Sequence, residues 1–400
     1  MNKKKRYLRF CGIDIAKNKH VLCIIDREGQ TIVRSQSFAN NKEGFQTLLE
    51  CLKSTGRAGS ILVAMEATGH YWYGLHDFLT VNGYQVAVLN PIQTAMQARK
   101  GIRKCKTDKI DAFHIAMLLK NGEYKAALVP GELGMTCRQL TRLRYSLVGQ
   151  GAKLKQLVWA RLHPVWPEYE ELFANPFCAT GRKLLTVAPT PADILQLGQA
   201  DLGELIRKTS RGKYGPAQAK KTWLAAANSA GMQRGLEGTR IGIRTLLHQI
   251  ETMAPIRKKL EEDIRELAKR LPAYIFTLPG IDPMRAVSIF GETDPIKNFK
   301  SPDKIVAFAG LDLTVYQTGN YDAPHRHISK RGSPFLRHTL WAMAFQAIYR
   351  EGDLRDYWLR KRADGLTHKA AVTAVAIKLC RITWRILTDK RDYLPQGYPN

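Results

Sequence analysis

Phe10-Cys11-Gly12-Ile13-Asp14-Ile15-Ala16 is an apolar run of strand length with a single carboxylate set inside it. Such a run reads as a buried strand, and burying a charge is costly unless something pairs with it. In a chain of formal net charge +27 the acid is not there for solubility. The arrangement recurs downstream. Glu66 ends the run SILVAME (60–66), and Asp108 and Asp111 stand three apart in KTDKIDA (106–112). Singly, each acid has an ordinary role: a strand-end cap for Asp14, an arginine partner for Glu66, an N-cap for Asp108. As a set they point to a bound divalent cation. Mg²⁺ takes oxygen ligands from a few carboxylates plus substrate phosphates, and metal ions of this kind stabilise the oxygens of a phosphoryl displacement. The first expectation is a metal-dependent enzyme acting on nucleic acid.

Working outward, YLRFCGIDIA (7–16), KHVLCIID (19–26) and TIVRSQSF (31–38) read as strands, with Arg27-Glu28-Gly29 as a turn. Phe45, Leu48, Leu49 and Leu52 mark one face of a helix from about Lys42 to Leu52. A strand (SILVAME), a helix (70–79), a strand (YQVAVLN, 84–90) and further helices through Gly122 complete residues 7–125. Three strands in a meander followed by helix–strand units predict an RNase H-like α/β domain. Its first and fourth strands are neighbours, so Asp14 and Glu66 converge, while Asp108 and Asp111 share one helix face. The aromatics of His70–Tyr73 read as core more readily than as a base-stacking platform.

Residues 131–272 turn helical. Leu140, Leu143, Leu147, Leu154, Leu157, Val158 and Leu162 recur at helical spacing, and Ile243, Leu246, Ile250, Met253, Leu260, Ile264, Leu267 and Leu271 follow a near-heptad pattern interrupted by Pro255. The two long helices predict an antiparallel coiled coil flanking an insert at 163–236. The insert carries helix starts at Thr190-Pro191 and Pro216 and a basic cluster of Lys208, Arg211, Lys213, Lys220 and Lys221. At 278–292, LPGIDPMRAVSIFGE reads either as half a helix-hairpin-helix element, whose helix start would hold a phosphate, or as a plain turn. Residues 273–390 form a small, mainly helical C-terminal domain, with helices expected around 302–308, 333–349 and 366–388. The fold class is thus α/β plus mainly α.

Composition narrows the class. With 44 % hydrophobic and 24 % charged residues the chain is globular. Its 62 Lys and Arg against 35 Asp and Glu point to a polyanion partner, since releasing phosphate counterions drives binding. Seven cysteines without a CxxC pair suggest neither a zinc site nor a disulfide framework, as in a reducing cytoplasm. The basic N-terminus lacks the apolar segment of a signal peptide, and no stretch is long and apolar enough for a membrane helix. A cytoplasmic protein is expected.

The second dense region is FAGLDLTVYQTGNYDAPHRHISKRGSPFLRHTLW (308–341). It sets the hydroxyls of Thr318, Ser329 and Ser333 among His325, Arg326, His327, Lys330, Arg331 and Arg337. Positive charge beside a hydroxyl suits an alcohol that attacks or holds a phosphodiester. Ser333 followed by Pro334 reads better as a helix cap.

The ordered set GIDIAK, MEATGHYW, KTDKIDA, LPGI, FAGLDL, YQTG and ISKRGSPFLR, spread over residues 8–388, resembles the insertion-sequence transposases related to the Piv DNA invertases, the bridge-RNA-guided DNA recombinases. The resemblance implies a RuvC-like domain whose acidic tetrad falls on Asp14, Glu66, Asp108 and Asp111 and holds Mg²⁺. It implies a C-terminal transposase domain whose nucleophilic serine precedes the glycine of YQTG. Thr318 stands there, keeping the hydroxyl as a more hindered secondary alcohol. Arg326, Lys330, Arg331 and Arg337 are then the expected nucleic-acid contacts. The implied partners are donor and target double-stranded DNA and a guide (bridge) RNA, handled by a homodimer or homotetramer. The alternatives are a DNA-only invertase or junction-resolving nuclease, and a non-catalytic nucleic-acid-binding regulator.

Overall fold

The computed structural model describes residues 7–90, 94, 108–127, 129–313, 317–318, 321–322 and 327–395. The chain divides into two compact units, Met1–Val129 and Pro130–Asn400. Mixed α/β at the amino end, it is mostly helical elsewhere.

The first unit holds a five-stranded sheet of β1 (Arg9–Asp14), β2 (Lys19–Asp26), β3 (Thr31–Ala39), β4 (Ile61–Glu66) and β5 (Gln85–Leu89) in the order β3-β2-β1-β4-β5. β1 and β3 run antiparallel to β2, whereas β1, β4 and β5 are mutually parallel. Successive side chains of a strand point to opposite faces, and the two cores follow that alternation. Cys11, Ile13, Leu22, Ile24, Ile61, Val63 and Met65 pack with Leu48, Leu49 and Leu52 of α1 (Lys42–Thr55) and Leu75 and Leu79 of α2 (Tyr73–Val81). On the other face Phe10, Cys23, Ile25, Leu62 and Ala64 pack under Ala112, Ile115, Ala116 and Leu119 of α3 (Asp108–Asn121). Both faces of β1 and β4 are covered, which is why these strands read as continuous apolar runs.

In the second unit, α4 (Glu132–Leu162) and α8 (Leu236–Ala268) lie antiparallel: Arg144 Nε meets Glu261 Oε1 at 2.9 Å, while Arg161 lies against Gly242. α8 continues through Pro255. Along the middle of the pair Leu143, Tyr145 and Val148 of α4 and Ile256 of α8 are exposed. Two helices alone shelter one stripe each. At the far end the insert and the two helices share one core: Trp166 and Tyr169, fully buried, join Val158, Leu162, Ile243 and Leu247 with residues of α5 (Ala179–Val187), α6 (Pro191–Ser210) and α7 (Pro216–Ala227). α6 starts at Thr190 with a reciprocal capping box to Asp193, and α7 starts at Pro216, both as the sequence indicates.

At the near end α9 (Pro283–Thr293) packs against α4 and α8, followed by α10 (Pro302–Ala309), α11 (Pro334–Ala347), α12 (Asp353–Ala363) and α13 (His368–Asp389). Asp282 Oδ1 caps α9 by accepting from Arg285 N at 2.8 Å, so a carboxylate occupies the helix start where a phosphate was one of the two readings. Among the described residues no helix is long and apolar enough to cross a membrane.

Candidate active site

Asp14 and Glu66 are the last residues of β1 and β4, which pair in parallel up to Ile13 opposite Met65. The alternation that sends Ile13 and Met65 towards α1 and α2 sends Asp14 and Glu66 to the α3 face. α3 is seated on β1 at Gly12, where a Cβ would lie 2.2 Å from the Ala112 carbonyl oxygen and 2.5 Å from Ala116 N. Its direction is set at the other end. Lys120 Nζ donates to the Glu28 carbonyl at 3.1 Å, in the turn after Asp26, and Asp26 pairs with Arg9 at the start of β1. The amino end of α3 therefore lies at the Asp14 end of the sheet, bringing Asp111 to the same end and face. Asp108 begins the helix one turn earlier, and its side chain lies outside the described residues.

Asp14, Glu66 and Asp111 are each half-buried. Glu66 is held by two threonines: Thr94 Oγ1 donates to Oε2 at 2.7 Å and Thr68 Oγ1 to Oε1 at 3.3 Å. Hydrogen bonds to both oxygens fix the orientation of the carboxylate. Nothing in the sequence marked Thr94, whereas a glycine inside a strand, as at Gly12, does signal close backbone approach. The donor set fits a hard cation: carboxylate oxygens only, on two neighbouring strand ends and one helix start. Among the described residues no group of three or more His, Cys, Asp or Glu side chains stands close enough to hold a metal ion, Asp108 being outside that set. Trp72 is buried, in keeping with a core role, while Tyr73 stacks on it from the exposed side.

In the second unit Thr318 closes β6 (Gln317–Thr318), pairing with Tyr321 of β7 (Tyr321–Asp322) in a short antiparallel hairpin. Arg326 and His325 lie outside the described residues. The hairpin's base is interlocked. Leu313 bridges Ile328, Ser329 N donates to Asp312 O at 2.8 Å, Lys330 N to Gly310 O at 3.1 Å, and Ser333 N to Phe308 O at 2.6 Å. Gly332 makes this possible, since a Cβ there would sit 1.9 Å from the Phe308 carbonyl oxygen. Lys330 takes a left-handed φ of 55°, and both Lys330 and Arg331 are exposed. Arg337 donates Nη1 to the Ala309 carbonyl at 2.9 Å and so braces the interlock.

The other hydroxyls are engaged. Ser333 is buried, accepts from Leu336 N at the start of α11 and donates to Glu292 Oε2 at 2.9 Å, the cap the sequence suggests. Ser329 Oγ donates to Asp312 Oδ1. Glu292 is fully buried and receives Nε and Nη2 of Arg142 at 2.7 and 3.0 Å, tying α9 to α4 and α11. Burial pushes the Cys137 thiol up to about 11 and Cys380 to about 12, which keeps both protonated and unreactive.

Residues 11–167 match a DEDD-type transposase domain of IS110 elements, and residues 273–359 match the transposase family IS116/IS110/IS902. The insertion element IS116 44.8 kDa protein of Streptomyces clavuligerus, itself uncharacterized, is 25 % identical over 96 % of each chain. The transposase for insertion sequence element IS1111A of Coxiella burnetii is 28 % identical over 33 % of this chain and 38 % of its own. The pilin gene-inverting protein of Moraxella bovis is 35 % identical over 27 % of this chain and 33 % of its own. With both domains in one chain and likeness running along nearly its whole length, this is a transposase-type DNA recombinase that carries the transposase domains of the IS110/IS116/IS902 insertion elements.

Proposed function

We propose that the chain cuts and rejoins DNA strands to move its own insertion element, using Mg²⁺ at an RNase H-like (RuvC-like) site and a hydroxyl nucleophile in the C-terminal part. One observation carries the reading: Asp14, Glu66 and the amino end of α3, with Asp111, lie at the same end and on the same face of the sheet in a chain of net charge +27. Asp14, Glu66, Asp108 and Asp111 would hold the metal, which when bound lowers the pKa of a coordinated alcohol and stabilises charge on phosphate oxygens. Thr68 and Thr94 keep the Glu66 carboxylate aimed. In the C-terminal part, residues 273–390, Thr318 supplies the hydroxyl. Its oxygen bonds to phosphorus as a phosphorus–oxygen bond to deoxyribose breaks, and the resulting ester is conserved for rejoining. Arg326, Lys330 and Arg331 neutralise the phosphate, and Arg337 holds the loop that presents them. An element-encoded guide RNA would choose the donor and target by base pairing, and strand exchange between two duplexes calls for a dimer or tetramer.

The test is a donor–target recombination assay with binding measured in parallel. Asp14→Asn and Glu66→Gln should abolish product while leaving nucleic-acid affinity within a few fold. Thr318→Ser should keep or raise the rate and Thr318→Val should be inactive. Unchanged recombination in both carboxylate variants, or full activity of Thr318→Val, rejects the assignment. The likeness to the pilin gene-inverting protein favours DNA inversion as a second reading, taken here as one that uses no guide. RNA of defined sequence co-purifying with the protein selects the guided reading, and its absence selects the other.

A further inference from the structure

The basic cluster of the insert has no part in the reading above. α6 and α7 form a helical hairpin joined by Arg211–Gly215. Its inner face is apolar: Leu202 and Ile206 share a core with Ala219 and Ala226, and a Cβ on Gly203 would touch that of Ala219 at 3.9 Å. Away from that face Arg207, Arg211, Lys213 and Lys220 are exposed. Lys208 is paired with Glu204 at 2.6 Å, Arg207 faces the same carboxylate, and Lys221 donates to the Glu171 carbonyl, so none of the three is counted.

Two features separate this patch from an ordinary solvated face. The first is charge. From Leu205 to Gly235 the chain contains no aspartate or glutamate. On α8, by contrast, the exposed Lys258 and Lys259 face Glu262 and Asp263 one turn on, at 3.9 and 2.9 Å. The second is rigidity. Arg211 caps α6 in a left-handed conformation, Tyr214 N donates to Ser210 Oγ at 3.1 Å, and the Tyr214 ring meets Phe173 edge-on at 5.5 Å. Gln218 Nε2 donates to Leu172 O at 2.6 Å, fixing the start of α7 to the turn beneath it. Cations carried on an ordered loop lose less freedom on binding. α7 begins at Gly215-Pro216 with no side-chain cap and no acid in its first turn, the polarity that favours a phosphate.

We propose that the α6–α7 hairpin is a second nucleic-acid contact, binding the phosphodiester backbone of a duplex through Arg211, Lys213 and Lys220. The inference rests on the proposed function only in that the chain handles nucleic acid. The experiment compares full-length wild type with Arg211→Ser/Lys213→Ser/Lys220→Ser and with a charge-matched control, Lys258→Ser/Lys259→Ser/Lys269→Ser. Affinity for a short DNA duplex and for an RNA duplex of the same sequence is measured at several salt concentrations, with thermal unfolding checking that all three proteins fold. The hairpin variant should lose about tenfold or more in affinity, and its slope of log K against log salt should fall by about 2 to 3, roughly one per phosphate contact. The control should stay within about twofold of wild type. Loss on both duplexes marks a general backbone contact, and loss on one names the nucleic acid the hairpin holds. A hairpin variant indistinguishable from the control on both duplexes overturns the inference alone. A wild-type chain that binds neither duplex overturns it together with the functional reading.

Discussion

Glu292 shows how much one side chain organises. It is fully buried, pairs with two nitrogens of Arg142, and accepts the hydroxyl proton of Ser333 while Ser333 caps α11. Removing one partner of a buried pair leaves a polar network half satisfied. Arg142 is partly exposed and can regain water, which limits the loss. Glu292→Ala should cost roughly 2–3 kcal/mol, read as a lower midpoint in denaturant unfolding; a shift within error would show that the network is dispensable. His20 is buried too. Its Nδ1 accepts from Ala16 N at 3.3 Å and its ring meets Phe38 edge-on, so burial pulls its pKa below the ordinary 6.5. The unfolded chain then takes up a proton before the folded one does, and stability falls with pH through 6.5 down to the lower folded value. His20→Phe should flatten that part of the stability–pH curve, and an unchanged slope would assign it to other groups.

At the scale of elements, the seat of α3 on β1 positions the candidate site. Gly12→Ala would drive a methyl group into the Ala112 carbonyl, so α3 must lift and Asp111 with it. The expected outcome is a loss of about 1–3 kcal/mol in unfolding stability together with most recombination activity; normal activity would mean that the helix does not set the site. Most of this geometry was legible beforehand because β1 and β4 are covered on both faces and announce themselves as apolar runs ending in acids. The acid spacing in KTDKIDA likewise placed α3. What escaped was different in kind. α12 (DLRDYWLRKRA) buries only Leu354 and so has almost no apolar stripe to read. β6 and β7 are two residues each, below any periodicity. Thr94 and Asp312 act through contacts with residues distant in the chain, which no local pattern encodes.

The whole molecule is a strongly basic chain in two compact units. If phosphate neutralisation dominates its association with DNA, log K should fall linearly with log salt, losing two or more orders of magnitude between about 50 and 200 mM. A flat dependence would mean that binding is carried by apolar or base contacts instead.

The antiparallel course of α4 and α8 returns the chain to the place where it left. Leu162 and Leu236 bracket the insert from adjoining helix ends, and the insert's core is built onto those ends. Lengthening a connection between ends already held together costs little closure entropy. The tip of the helix pair is therefore a site where chain can be added at little closure cost, so a new specificity can be acquired there while the chemistry elsewhere is inherited intact.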